Sequence, residues 1–174
     1  MNDAPVASGV ATLLSVAEDT TSPSGATVST LFSGNFSDAT DAVAGGSAAN
    51  TLAGVAITQN PADATKGVWE YSTDSGATWT SVGVVSDASA LTLQSTDLLR
   101  FTPAANWNGP APSLTARLID SSVTVTSGAT SVNVSTNGGE TAYSSGTVTL
   151  STSVTAVNDA PVASGVATLL SVAE

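Results

Sequence analysis

Apolar residues in this chain alternate with Ser and Thr far more than they recur at helical spacing, and Gly, Pro, Asn and Asp interrupt them about every ten residues. The first strand candidate is Val10–Val16, introduced by the Asp3-Ala4-Pro5 turn and stopped by Glu18-Asp19-Thr20. Pro5 lacks a backbone donor and suits an edge position. A short apolar run follows at Ala26–Phe32. The stretch from Ser33 to Asp41 is too polar to be all strand and leaves room for one helical turn or a 3₁₀ piece. After a small-residue loop at Gly45–Asn50, Thr51–Gln59 predicts a strand with Val55 and Ile57 facing inward.

The clearest local pattern is a β-hairpin over Gly67–Thr80. Trp69 and Tyr71 alternate with Glu70, the loop Ser72–Gly76 turns the chain, and Trp79 lies on the returning strand. Gly76 is expected at a positive φ, and Trp69, Tyr71 and Trp79 are expected to form one aromatic cluster. Further on, Leu91 with Leu93, Leu99 with Phe101, and Leu114, Ala116 and Leu118 each mark one face of a strand, the last ending at Asp120. Asn106–Gly109 reads as a turn. From Ser121 to Thr147 the pattern weakens, with a strand at Ser131–Ser135 and a turn at Asn137-Gly138-Gly139. The final strand, about Thr147–Val157, is long enough to hold a bulge near Ser151–Ser153. Many short strands without helical partners predict an all-β fold, a Greek-key β-sandwich of cadherin or immunoglobulin type with long loops.

An internal repeat sets the organisation. Asn2–Glu18 and Asn158–Glu174 are identical over seventeen residues at an offset of 156. The chain therefore reads as one repeat, residues 1–157, followed by the linker and first strand of the next, residues 158–174. Met1 stands where Val157 precedes the second copy and reads as a start placed before the repeat. A β-solenoid would show a much shorter internal period than this.

Composition and charge narrow the chemistry. Fourteen acids face three bases and no histidine, for a formal net charge of -11. Such a chain is expected to have no affinity for nucleic acid or an anionic membrane. Repelling carboxylates on turns are either a solubilising surface or ligands for calcium, which takes six to eight hard oxygens. With no cysteine there are no disulfides, and calcium is another way to gain rigidity. No EF-hand loop is present, because Asp38-Ala39-Thr40-Asp41 lacks the glycine and the closing Glu at the required positions.

Taken in order, several motifs resemble the cadherin-like repeats of giant bacterial RTX-type, type I-secreted surface adhesins. They are the Val157–Pro161 linker, Glu18-Asp19-Thr20, Phe36-Ser37-Asp38, the Trp69–Gly76 hairpin, Phe101–Gly109 and Leu118-Ile119-Asp120. The resemblance implies a structural extender that projects a distal adhesive region from a Gram-negative cell surface, with calcium stiffening the junctions and neighbouring repeats as partners. It implies junction ligands Asp159, Asn158, Glu18 and Asp120. Asp3 and Glu174 would belong to half-built junctions, and Asp19, Asp38 and Asp41 are further candidates. A strand-start Asp and a strand-end Glu of one unit are expected to serve different junctions. The isolated repeat is expected to be monomeric.

Other function classes draw less support. Without His or Cys there is no Ser-His-Asp or Cys-His arrangement, so no enzyme is expected. The alternative is a carbohydrate-binding β-sandwich module, stacking sugars on Trp69, Trp79 and Trp107, against which core packing of the same rings must be weighed. The threonines keep no constant period that would suit a crystal surface.

Overall fold

A computed structural model describes residues 2–42 and 48–173. The small-residue loop expected at Gly45–Asn50 lies, as far as residue 47, outside the described residues, as does Glu174. The chain opens with three short strands, β1 (Val6–Ala7), β2 (Val10–Thr12) and β3 (Val16–Ala17). The single strand expected over Val10–Val16 is thus broken at residues 13–15.

The run Ala26–Phe32 becomes a two-residue strand, β4 (Ala26–Thr27), and a short helix, α1 (Val28–Phe32). The Thr27 side chain caps the helix by accepting the Thr30 N–H at 3.1 Å. Val28, Leu31 and Phe32 sit three and four positions apart, and all three are buried. Two 3₁₀ turns, Ser33–Asn35 and Ala39–Asp41, flank β5 (Phe36–Ser37).

The body follows as β6 (Leu52–Gln59), β7 (Gly67–Ser72), β8 (Thr80–Ser81), β9 (Ala90–Gln94) and β10 (Leu98–Pro103). Then come β11 (Gly109–Pro110), β12 (Leu114–Asp120), β13 (Ala129–Val132), β14 (Val148–Ser151) and β15 (Ser153–Thr155). The long last strand is interrupted at Thr152, inside the stretch where a bulge is expected. Residues 156–173 form no strand and are exposed.

These strands assemble into four separate sheets, ordered β1-β5, β4-β10-β7-β8, β11-β15-β3 and β13-β9-β6-β12-β14-β2. Two of the sheets are mixed, because β2 lies parallel to β14 and β3 parallel to β15. The expectation of an all-β Greek-key sandwich of cadherin or immunoglobulin type is corrected by this arrangement, which has mixed pairing, four sheets and a small helix. The resemblance to cadherin-like repeats, which rested on local motifs, is corrected with it. Alternation reports that a segment is a half-buried strand and carries no information on which strand it joins or in which direction.

Burial is also two-sided where one face was expected. In β6, Val55 and Ile57 pack into the main core, yet Ala56 is equally buried beneath a second cluster with Ala90, Ile119, Val125, Val134 and Ala142. The weakly patterned stretch after Ser121 supplies that second layer. Gly54 is required by this crowding, since a Cβ there would lie 2.1 Å from the Leu93 carbonyl oxygen.

Candidate functional site

Residues 2–18 run the length of the unit and join a polar cluster at each end. In between, Ala11 and Leu13 enter the core, Ala11 facing Leu150 in the parallel ladder and Leu13 donating its N–H to the Ser151 carbonyl at 2.9 Å. Val16 faces Val154. The Thr152 and Thr155 hydroxyls donate to the carbonyls of Leu14 and Val16. A cavity of about 320 Å3 remains under this segment, lined by Leu13, Leu14, Val16, Pro23, Ala26 and Arg100 among others.

At the first end, Asp41 Oδ1 accepts the Asp3 N–H and Asp38 Oδ2 accepts the Asn50 N–H, each at 2.8 Å. The Asn50 amide donates to Asp41 Oδ2 at 2.8 Å and to Asn2 Oδ1 at 2.9 Å. Asn2 reaches on to Asp120 Oδ2 at 3.4 Å and to the Thr141 carbonyl. Asp38, Asp41 and Asp120 are all buried, and Asp38 Oδ1 has no hydrogen-bond partner. Burial, with repulsion from Asp41 and Asp120, pushes the Asp38 carboxyl above the usual range despite the opposing Asn50 bonds. All three basic side chains are engaged elsewhere, Lys66 with Asp63, Arg100 with Glu70 and Arg117 with Asp87.

At the second end, Glu18 is buried. It accepts the Val157 N–H at 2.5 Å and the Asn108 amide at 3.1 Å. Asp19, at φ 64, accepts the Asn106 N–H at 2.8 Å. Asp159 is exposed, and the Asn158 side chain donates to the Asp159 carbonyl.

The tryptophans do not form a platform. Trp69 is buried, donates Nε1–H to the Pro112 carbonyl at 2.6 Å and meets Phe101 edge-on at 5.4 Å. Trp107 is half-buried against the other side of Phe101, and Trp79 is covered by the Arg100 guanidinium 4.0 Å from its ring centre. The expected cluster of Trp69, Tyr71 and Trp79 is replaced by one centred on Phe101.

The expected junction residues are spread over the unit. Glu18 and Asp120 serve opposite ends of the unit, and Asn158 and Asp159, which directly follow the Glu18-bound Val157, are exposed. Among the described residues, no group of three or more His, Cys, Asp or Glu side chains is arranged to hold a metal ion. No family model, curated protein or solved structure matches the chain. The reading as a calcium-stiffened extender of a cell-surface adhesin is corrected by these findings, and so is the alternative of a carbohydrate-binding β-sandwich module. Sequence reasoning missed Asn2 as a contact of the first end and overlooked Asn50, which bonds Asp38, Asp41 and Asn2 there. The signal available was an Asn between a small-residue loop and a strong strand.

Proposed function

We propose that the chain is a non-catalytic structural unit of a repeating protein, closed by its own leading segment, with neighbouring units of the same chain as its partners. The observation that carries this reading is the seating of residues 2–18 in parallel along β14 and β15, pinned by polar contacts at both ends. The seventeen-residue identity supports the repeating character, because the same closing sequence recurs where a next unit would need it. The lack of histidine and cysteine supports a non-catalytic role.

Thermal melting tests the reading. Leu13→Asp places a charge in the core and should lower stability by about 3–5 kcal/mol, or roughly 10 °C in Tm. Removing residues 158–174 should leave Tm within about 1 °C, since residues 158–173 are exposed. Equal sensitivity to both changes would sink the idea of a closing segment.

A second reading concerns a cofactor within the unit. We propose that a hard divalent cation such as calcium is taken up by Asp38 and Asp41 with the amide oxygens of Asn2 and Asn50. The unpartnered Asp38 oxygen and the engagement of every basic side chain elsewhere favour it, and the all-oxygen donor set suits calcium. Calcium at millimolar concentration should raise Tm relative to chelator in the parent and not in Asp38→Asn. An equal response in both proteins rules this site out.

A further inference from the structure

We infer that the cation site at the first end is complete only while residues 2–3 are seated, so that cation binding there holds the whole leading segment closed.

Separate parts of the chain meet at this end. Asp38 and Asp41 come from the second 3₁₀ turn and its cap, Asn50 stands just ahead of β6, and Asp120 ends β12. Asn2 and Asp3 arrive with the leading segment. Among the side chains proposed as ligands, Asn2 alone moves with that segment, while Asp38, Asp41 and Asn50 keep their places when it leaves.

The Asn50 amide marks the point between them. Its nitrogen lies 2.8 Å from Asp41 Oδ2 and 2.9 Å from Asn2 Oδ1, and the Asn50 backbone N–H reaches Asp38 Oδ2 at 2.8 Å. Turning the amide over about its last torsion exchanges the NH2 for the oxygen. The Ser121 hydroxyl, which donates to Asn50 Oδ1 at 3.3 Å, can accept from the turned group instead. Asn50, Asp41 and Asn2 then present oxygens to one another, an arrangement that a hard cation between them stabilises. Asp38 is 4% exposed, and its Oδ1 has no hydrogen-bond partner. That buried oxygen supplies a further ligand at the cost of no existing bond.

Linkage gives the consequence. A ligand that binds only the closed state suppresses opening by about one plus the ratio of its concentration to its Kd, or roughly 100-fold at 100 times Kd. The leading segment is suited to such control. Its strand β2 has three residues and lies at the edge of the six-stranded sheet, with Val10 and Leu14 exposed. The cavity of about 320 Å3 under Leu13 and Val16 leaves its packing incomplete, as befits a part that opens before the rest. The inference rests on the cation reading and on the seating of residues 2–18 proposed above.

Amide hydrogen exchange in chelator and in calcium at about 100 times its Kd tests it. The Ala4 N–H is held by the Gly139 carbonyl and the Leu13 N–H by the Ser151 carbonyl, whereas the Leu118 N–H is held inside the fold by the Ser144 hydroxyl. In chelator, Ala4 and Leu13 should exchange faster than Leu118, and calcium should slow both about 100-fold. By titration calorimetry, Asn2→Ala should weaken calcium binding at least about tenfold. Calcium that binds without slowing Ala4 and Leu13, exchange there no faster than at Leu118 in chelator, or an Asn2→Ala affinity equal to that of the parent would overturn the coupling alone. Absence of calcium binding, or binding undiminished in Asp38→Asn, removes the cation reading and the coupling with it.

Discussion

The Glu18 carboxylate accepts the backbone N–H of Val157 at 2.5 Å, so the last residue of the first copy holds the residue that immediately precedes the second. The same side chain accepts a hydrogen bond from the Asn108 amide, and it is buried. Glu18→Ala leaves both donors without it and should cost about 2 kcal/mol, a fall of roughly 4–8 °C in Tm. Glu18→Gln keeps one acceptor oxygen and should recover part of the loss. A melt unchanged in both variants would mean that the leading segment is not secured at this end.

Asp38 should make the protein less stable at neutral pH than in mild acid. Its folded carboxyl titrates above the ordinary value of 3.8 because burial and the neighbouring Asp41 and Asp120 charges oppose ionisation. The folded state therefore binds the extra proton, so the contribution of this group to stability rises as pH falls through the raised value toward 3.8. Asp38→Asn should flatten that slope and, without divalent cation, stabilise the chain at pH 7 by about 1–2 kcal/mol. Urea midpoints at several pH values measure both effects.

The hairpin loop should respond to acid in the opposite sense. Hydrogen bonds from the Thr78 hydroxyl and N–H, and then from Ser72, hold the Asp74 carboxyl down to about 2. Its contribution is present above the ordinary value of 3.8 and is lost as pH falls toward 2. Nuclear magnetic resonance titration of Asp74 should show this low midpoint, and Thr78→Val should raise it.

The tryptophans should separate by energetic weight. Trp69→Ala removes a fully packed ring and its bond to Pro112, and should destabilise by about 3–5 kcal/mol. Trp79→Ala mainly releases Arg100 from a half-covered ring and should cost about 1 kcal/mol. Emission of the parent should be blue-shifted and should lose its bluest component in Trp69→Phe.

Much of the local structure was legible because it depends on neighbours in sequence. Trp69 and Tyr71 alternate with Glu70 in β7, and the loop places Gly76 at φ 90. Leu114, Ala116 and Leu118 all face the core from β12. The helix at Val28–Phe32 was legible in principle, from the Thr27 cap and the spacing of Val28, Leu31 and Phe32, but five residues are too few to outweigh a β-rich background. The candidate acids were legible as residue types. Their grouping was not, since Asp3 meets Asp41 across the fold and Asp120 meets Asn2 from the far end of β12.

By itself the sequence determined the repeat, the strand-forming segments, the turns and the excess of carboxylates, because each follows from composition or from side-chain periodicity along one segment. Only the tertiary structure decided that β2 and β3 run parallel to β14 and β15, that four sheets form in place of a sandwich, and that both faces of β6 are covered. Strand pairing joins residues up to about 140 positions apart through backbone groups that every residue shares, so side-chain patterns cannot encode the partner. The same reason explains how one seventeen-residue sequence is paired into the fold at residues 2–18, with Pro5, Ala11, Leu13 and Glu18 buried, and stands in solvent at 158–173.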